Sequence, residues 1–313
     1  MTQQRGRSTQ GPPAPRGDAR DGRALAERLR AGPPLLLDGA LGTELERRGA
    51  PATLPLWSTH ALQGDPDLVA RIHADYAAAG AEILTANTFR TQRRVLARAG
   101  LDERARELTR LAVALARRAA GAAGRRIFVA GSQPTLEDCY RPDLVPDAAA
   151  LTQEHAEHAA NLVEAGADAI LIETMNTVRE AAAATRAARA YDIPVLVSFM
   201  CWERDRLLGG EPLASALAAA AAEGADAVLV NCLPASNVAA CLPALRAAGL
   251  PFGVYANLGA PGVSEGPGST EDLAPEAFAD EALRWLAAGA RIVGGCCGTT
   301  PEHIRAIARR MAR

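Results

Sequence analysis

The chain repeats one structural unit, a short apolar run followed by an alanine-rich segment whose apolar residues recur at helical spacing. The apolar runs that predict strands lie at 35–37, 82–86, 127–130, 169–172, 195–199, 227–230, 252–255 and 291–293. The segments that predict helices lie at 67–79, 92–120, 147–165, 178–190, 213–223, 238–248, 275–288 and 301–311. Eight strands alternating with eight helices in 313 residues favour a single-domain (β/α)8 TIM barrel.

Local signals mark where several helices begin and end. A left-handed residue commonly ends a helix, and glycines stand just before four predicted strands, at Gly80, Gly166, Gly224 and Gly289. Near the first strand, Thr43 and Glu46 have the spacing of a capping box and are given a structural role. An open doubly wound sheet is the alternative architecture, but no G-x-G-x-x-G segment follows an early strand.

The N-terminal part of the chain differs in composition from the rest. Residues 1–22 are rich in Arg, Gly, Pro and Gln and have almost no aliphatic content. We therefore expect a disordered arm, which together with its lead-in occupies 1–30, and a barrel that occupies 31–313. A solvated tail is the favoured interpretation of the arm, with nucleic-acid contact through its arginines as the alternative.

The overall composition excludes several classes of function. The formal net charge is -2, without the basic excess that nucleic-acid binding requires. No apolar run approaches the roughly 18 residues of a membrane span, and no N-terminal apolar segment predicts secretion, so we expect a cytoplasmic protein. The chain contains no lysine, which excludes Schiff-base aldolase and pyridoxal phosphate chemistry.

Two adjacent cysteines carry the strongest chemical indication in the chain. After the last predicted strand comes the sequence GGCCG (294–298), and a helix then restarts with Thr300 as its N-cap and Pro301 in its first turn. Cys296 and Cys297 are poor disulfide partners for each other, but both can occupy corners of a tetrahedral zinc site if the flanking glycines let the backbone bend. Cys232 ends the sixth predicted strand, and strand ends meet at one rim of a barrel. These three cysteines therefore predict a zinc site with one open position.

Two other interpretations of these residues stay open. Free cysteines are often small buried hydrophobic residues, and this is the favoured interpretation of Cys139, Cys201 and Cys241. Gly294 and Gly295 could instead form a phosphate-binding loop after strand eight, which would leave the thiols without a role.

Several segments resemble the homocysteine S-methyltransferase family, which includes betaine- and S-methylmethionine-dependent enzymes and the homocysteine module of methionine synthase. The sequence GGCCGTTP (294–301), with the upstream pair Asn231-Cys232, resembles the zinc signature of that family. DGALGTE (38–44) resembles its N-terminal segment, TANTF (85–89) resembles the strand-two motif of the methionine-synthase branch, and IET (172–174) resembles its strand-four motif. The resemblance covers roughly 35–311.

The resemblance implies methyl transfer to the sulfur of L-homocysteine, with methionine as product and Zn²⁺ as cofactor. Zinc bound by Cys232, Cys296 and Cys297 would take the substrate sulfur as its fourth ligand and hold it as the thiolate, which is the competent nucleophile. Glu173 and Asp38 are the implied partners of the substrate ammonium. Their structural alternatives are a rim ion pair for Glu173 and a turn role for Asp38.

The same resemblance assigns further residues around the pocket. Backbone amides near Gly39 and Ala40 are expected at the substrate carboxylate. Trp57 is expected to line the pocket, with simple packing as its alternative. Independently of the resemblance, Asn257 and Tyr255 lie at the end of strand seven, and from that position they are expected to shape the pocket.

The expected methyl donor follows from what the sequence lacks. After strand two the chain has Phe89 followed by Arg90, unlike the aromatic residues of the betaine branch, and aromatic residues make up only 4% of the chain. No cage for a quaternary ammonium is therefore expected. Because a cobalamin-binding D-x-H-x-x-G segment is also absent, S-methylmethionine or S-adenosylmethionine is the expected donor. The alternatives are a subunit that takes methyl from a separate corrinoid protein and a zinc- or thiol-binding barrel without turnover.

Overall fold

Eight parallel strands close into a barrel in the computed structural model, which describes residues 19–259 and 273–312. The strands in chain order are β1 Leu35–Leu36, β2 Ile83–Ala86, β3 Phe128–Gln133, β4 Ala169–Met175, β5 Val195–Phe199, β6 Cys201–Glu203, β7 Arg206–Leu207, β8 Ala227–Pro234, β9 Phe252–Asn257 and β10 Ile292–Gly295. The barrel order is β1-β10-β9-β8-β5-β4-β3-β2, while β6 and β7 form a separate antiparallel hairpin. A parallel bridge between Leu37 and Ile83 joins β1 to β2 and closes the barrel. The predicted TIM barrel is confirmed.

Helices surround the barrel and connect its strands. They are α1 Ala19–Ala31, α2 Gly42–Arg47, α3 Thr59–Gly64, α4 Pro66–Ala79, α5 Arg93–Ala97, α6 Ala105–Ala122, α7 Ala148–Glu164, α8 Val178–Ala188, α9 Leu213–Ala222, α10 Val238–Ala247, α11 Pro275–Ala287 and α12 Pro301–Met311. The four predicted helix-ending glycines all have positive φ, between 91° and 115°. The single helix predicted over 92–120 is wrong, because the chain turns at Gly100, where φ is 67°, and restarts as α6.

The expectation of a disordered arm and lead-in over 1–30 is wrong for its last part. Helix α1 spans Ala19–Ala31, and its residues Leu25 and Leu29 are fully buried. They join the apolar cluster inside the barrel at its amino-terminal end, where Arg291 also donates to the carbonyl oxygens of Arg28 and Leu29. Burying each leucine contributes about 1.5–3 kcal/mol, so this helix belongs to the barrel. The rest of the predicted arm, 1–18, lies outside the described residues.

The buried apolar side chains form two main layers. One layer fills the barrel, and the larger one lies between the strands and the surrounding helices. Within the described ranges, no helix combines the length and apolar character needed to cross a membrane. The surrounding helices pack against the strands and hold their carboxyl-terminal ends in place. The candidate site residues lie at these strand ends.

Candidate active site

Three cysteine sulfurs meet at the carboxyl-terminal rim of the barrel. Cys232 lies in β8, and Cys296 and Cys297 directly follow β10. All three sulfur atoms lie within 4.8 Å of one another, and those of Cys232 and Cys297 are 4.0 Å apart. Thiolates bound at about 2.3 Å to one tetrahedral ion are about 3.8 Å apart, so the spacing suits a single metal. No other group of three metal-binding side chains in the described part of the chain comes this close.

Backbone conformation brings the cysteines together. Cys232 has a φ of 59°, a left-handed value that is rare for residues other than glycine, and β8 shifts its register between Asn231 and Pro234. At the other strand, a Cβ on Gly295 would lie only 2.3 Å from the Thr299 hydroxyl oxygen. Glycine is therefore required at this position, because the Thr299 side chain packs directly against the strand end that leads into the two vicinal cysteines.

Cys232 is the sulfur of the three that loses its proton most easily. Hydrogen bonds from the thiols of Cys296 and Cys297 lower the pKa of Cys232 to about 5, against the opposing effect of burial. The Tyr140 hydroxyl lies 3.7 Å from the Cys232 sulfur, and the indole N–H of Trp202 donates to the Cys232 carbonyl oxygen at 3.1 Å. Cys232, with its left-handed backbone, is thus contacted at its side chain by Tyr140 and at its carbonyl oxygen by Trp202.

The loop of Cys296 and Cys297 is held by polar side chains around it. The Asn257 side-chain oxygen accepts from the Cys297 N–H at 3.0 Å, and the Thr43 hydroxyl accepts from the Gly298 N–H at 3.0 Å. The Thr299 hydroxyl donates to the Cys296 carbonyl oxygen at 2.7 Å. Hydrogen bonds of this kind fix the direction of metal ligands.

The predicted capping box of Thr43 and Glu46 is wrong. Leu41 is the N-cap of α2 and has no side-chain capping bond. The Thr43 hydroxyl is instead used by the cysteine loop, and a Glu46 carboxylate oxygen accepts from the Trp57 indole N–H at 2.9 Å. Both side chains that the local pattern assigned to the start of the helix therefore make tertiary hydrogen bonds instead.

We expect that Asn257→Ala weakens metal binding about ten- to hundredfold, because the Cys297 N–H loses its acceptor and the loop loses its fixed direction. Metal affinity is measured by competition with a chromogenic chelator. The matched variant Asn257→Asp keeps an oxygen acceptor and should retain affinity. Equal affinity in the alanine variant and the wild type would contradict this role.

Two buried carboxyl groups, Asp38 and Glu173, lie beside the cysteines. The Asp38 carboxylate accepts from the Thr85 N–H at 2.8 Å and from the Thr85 hydroxyl at 3.0 Å. Burial raises the pKa of Asp38 to about 8, with a smaller contribution from the charge of Glu173. Glu173 accepts from the hydroxyls of Ser132 and Tyr255, and burial raises its pKa to about 7. These carboxyl groups are ready to ionise when a cation reaches them.

The structure favours neither structural alternative for these carboxyl groups. No arginine pairs with Glu173 in the described ranges, so it is not part of a rim ion pair. Asp38 follows β1 and binds the next strand through Thr85, which is a link between strands instead of a turn. Both groups lie at the same rim. The Asp38 carbonyl oxygen accepts from the Gly295 N–H at 3.1 Å, and Glu173 accepts from Tyr255, which pairs with Gly294 in the sheet.

The raised pKa of Asp38 predicts a pH dependence of stability. Folding raises this pKa from 3.8 to about 8, so its contribution to stability is complete below pH 3.8 and is lost as the pH rises toward 8. Asn does not ionise, so the free energy of unfolding of Asp38→Asn should not fall with pH in this way. Its difference from the wild type should increase in favour of the variant between pH 5 and 8, by at most about 1.4 kcal/mol per pH unit. Denaturant unfolding at several pH values measures the difference, and a difference independent of pH would contradict the prediction.

Asn231 connects the glutamate strand to the cysteine strand, a role that the sequence did not indicate. Its side-chain oxygen accepts from the Thr174 N–H at 3.1 Å and from the Ser198 hydroxyl at 2.7 Å, while its amide group donates to the Thr174 hydroxyl. Thr174 follows Glu173 and has a left-handed φ of 61°. One buried amide therefore fixes the strand ends that carry Glu173 and Cys232.

The amide of Ala40 is not available for a substrate carboxylate, which corrects the expectation for this residue. Its N–H donates to the Thr299 hydroxyl at 3.1 Å, and its carbonyl oxygen accepts from the Tyr76 hydroxyl at 2.9 Å. Gly39 lies against the same two side chains, since a Cβ there would approach both at 2.8 Å. This segment therefore braces the cysteine loop, and only Gly39 of the pair stays a candidate for substrate binding.

Aromatic rings gather around the cysteines, although the chain has few of them. Phe89, Tyr140 and Trp202 pack against the cluster that contains Cys232, and the rings of Tyr140 and Trp202 are 5.3 Å apart. Trp57 meets Phe89 edge to face at 6.0 Å and so lies one ring further out. The low aromatic content of the chain did not predict how many rings surround the site, because the fold brings several of them to one rim.

The other three cysteines occupy two places. Cys201 and Cys241 are fully buried in the main core, as the structural interpretation predicts. Cys139 packs against Cys232 and Met200 beside the site, and burial raises its pKa to about 12. It therefore stays a thiol and serves as a packing residue next to the three cysteines at the rim.

A parallel barrel with three cysteines at its carboxyl-terminal rim defines a class of barrel protein with a candidate site for a thiophilic metal, at the rim where barrel enzymes carry their active sites. Residues 35–311 match the family described as homocysteine S-methyltransferase. The chain belongs to the homocysteine S-methyltransferase family, and its activity is methyl transfer to homocysteine, which gives methionine.

Known proteins similar to this chain agree with that assignment. The homocysteine S-methyltransferase of Escherichia coli K12 is 34% identical over 295 residues, which cover 88% of this chain and 94% of that protein. The methionine synthase of Mycobacterium tuberculosis is 32% identical over 92% of this chain, but the chain spans only 25% of that protein. The metallated form of the homocysteine methyltransferase MmuM from Escherichia coli superposes with a TM-score of 0.78 at 33% identity, over 93% of this chain and 99% of that one.

Proposed function

We propose that Zn²⁺ held by Cys232, Cys296 and Cys297 activates the thiol of L-homocysteine and that a sulfonium compound supplies the methyl group. The observation that carries the proposal is the meeting of three cysteine sulfurs within 4.8 Å at the rim. Three soft thiolates with room for a fourth ligand suit zinc in a catalytic site. When bound, zinc supplies the positive charge that keeps the substrate sulfur deprotonated at neutral pH.

The protein side chains position the acceptor for this reaction. Glu173 and Asp38 bind the homocysteine ammonium, and the positive charge of the substrate favours their ionised forms despite burial. Ser132 and Tyr255 donate to Glu173 and fix its two oxygens, so the carboxylate is oriented before substrate arrives. Asn257 and Thr43 hold the cysteine loop in place during the reaction.

S-Methylmethionine or S-adenosylmethionine is the proposed methyl donor. Its sulfonium carries a positive charge, which the electron-rich rings of Tyr140 and Trp202 beside the cysteines can stabilise. The homocysteine thiolate forms a bond to the methyl carbon as the sulfonium C–S bond breaks. The donor leaves as a neutral thioether, and the thiol proton is released to solvent.

The proposed setting is a cytoplasmic one. All six cysteines of the chain are free of disulfide bonds, and the three at the rim need to be reduced to bind metal. Small-molecule substrates are the proposed partners of the site, without nucleic acid or membrane.

A methyl-donor panel tests the proposal on the full chain with its zinc content measured. The panel combines homocysteine with S-methylmethionine, S-adenosylmethionine, betaine or methylcobalamin. Turnover with a sulfonium donor is the expected result. Turnover with methylcobalamin alone would favour a partner of a corrinoid protein, and homocysteine binding without turnover on any donor would favour a barrel that only binds zinc and thiols.

A further inference from the structure

Arg90 is a buried arginine that has no anionic partner among the residues that the structure describes. It is 8% exposed, and its Nε–H has no hydrogen-bond acceptor. Arg117, which is also largely buried, contrasts with it by pairing with Asp168 and donating to a carbonyl oxygen. Burying an unpaired charge is costly, and buried arginines are normally paired. Arg90 therefore has the properties of a group that a ligand completes.

The position of Arg90 places it at the wall of the active site. Its guanidinium carbon lies 5.6 Å from the centre of the Phe89 ring, a cation–π contact. Phe89 packs against the cluster of Cys139, Met200 and Cys232, and the charge of Arg90 also acts on Cys139. The Phe89 ring holds the Arg90 guanidinium beside the metal-binding cysteines. The ring does not serve as a hydrogen-bond acceptor for the five N–H groups of the guanidinium.

The amino-acid substrates of the proposed reaction bring a carboxylate into this pocket. Apart from Arg90, none of the side chains already described there carries a positive charge, and the carboxyl groups and thiols among them suit the ammonium and the sulfur of homocysteine. The backbone amide of Ala40, which the sequence assigned to the carboxylate, is used by Thr299. Of the two amides assigned to the carboxylate, only that of Gly39 is left, and one N–H cannot bind both carboxylate oxygens. A guanidinium can bind the two oxygens with two parallel N–H groups.

We propose that Arg90 binds the α-carboxylate of an amino-acid substrate in this pocket, which makes it a specificity residue for amino-acid substrates over analogues without the carboxylate. This inference rests on the proposed function. Homocysteine and an amino-acid sulfonium donor share this carboxylate chemistry, and the experiment below has one arm for each of them.

The test uses the zinc-loaded full chain with S-methylmethionine as donor, and compares the wild type with Arg90→Gln and Arg90→Lys. In Arg90→Gln we expect the KM of one substrate to rise roughly ten- to hundredfold, with kcat within a few-fold and zinc content unchanged. Arg90→Lys, which keeps the charge, should recover part of the loss. Arg93→Gln, an exposed arginine on α5, is the matched control and should behave as the wild type.

Substrate analogues separate carboxylate binding from a general effect on the pocket. Homocysteinamide and S-methylmethioninamide lack the carboxylate, so Arg90→Gln should not impair the amide of the substrate that Arg90 recognises. A rise in the homocysteine KM assigns the carboxylate to the acceptor, and a rise in the donor KM assigns it to the donor. Unchanged KM values for both substrates, or equal losses with acids and amides, would overturn the inference.

Calorimetric binding of each amino acid keeps this test independent of turnover. If the wild type binds homocysteine but transfers no methyl group, the proposed function fails, while weaker binding by Arg90→Gln still supports the role of Arg90. If Arg90→Gln does not fold, the lysine variant decides, since loss of the two-pronged contact should still weaken binding of the acid and spare the amide. Equal binding of the acid by the lysine variant and the wild type would then count against the inference.

Discussion

Cys297→Ala is expected to lose its bound metal and to reduce methyl transfer roughly a thousandfold or more, while the barrel stays folded. The sulfur of Cys297 lies 4.0 Å from that of Cys232, and two remaining thiols cannot form the three-ligand site. The residue is half-buried in a loop at the rim and is not part of the main core, so the change in the free energy of unfolding should stay within about 1 kcal/mol. Metal analysis, activity assays and thermal unfolding of the same preparation measure the three effects.

Cys241→Ala is the matched control for this variant. Cys241 is fully buried in α10, where its thiol donates to the carbonyl oxygen of Arg204. Its replacement should reduce stability but leave metal content and activity near those of the wild type. Wild-type turnover by a metal-free Cys297→Ala protein would refute the metal-based mechanism.

Glu173→Gln is expected to raise the KM for homocysteine about ten- to hundredfold while metal content stays normal. The ammonium of homocysteine loses a charge-assisted hydrogen bond, which is worth about 1.5–3 kcal/mol. The amide can still contact Ser132 and Tyr255, so the pocket should keep its shape. Steady-state kinetics over a range of homocysteine concentrations, together with metal analysis, measure the effect.

Glu203→Gln provides the control, because this glutamate is exposed on the β6–β7 hairpin at the same end of the barrel. It should leave the KM unchanged. A loss of metal from Glu173→Gln would mean that Glu173 supports the metal site instead of binding the ammonium. An unchanged homocysteine KM would remove Glu173 from the substrate site.

The barrel could be predicted from the sequence because each strand is buried on both faces and each helix repeats apolar residues at helical spacing. The extensions of β4 to Met175 and of β8 to Pro234 could not be predicted, since they carry polar residues and left-handed positions at Thr174 and Cys232. Helix α1 was also missed. Its two buried leucines, Leu25 and Leu29, are four residues apart in an arginine-rich segment, which is too weak a pattern to predict a helix. Their role is clear only from their contacts with the barrel interior.

The meeting of Cys232, Cys296 and Cys297 could be predicted because residue type and strand-end position both point to one rim. The residues that hold them could not. Thr43 and Ala40 have ordinary local patterns, and only the fold brings them to Gly298 and Thr299. The rings around the site come from segments that follow different barrel strands, so only the barrel topology brings them together and no regular spacing in the sequence indicates it.

The central claim is that three cysteine sulfurs bind one zinc ion and that the homocysteine sulfur completes its coordination. X-ray absorption at the zinc edge, recorded on the zinc-loaded protein before and after addition of homocysteine, tests this most directly. The account predicts three sulfur neighbours at about 2.3 Å before addition and four afterwards. A count that stays at three with saturating homocysteine would contradict it.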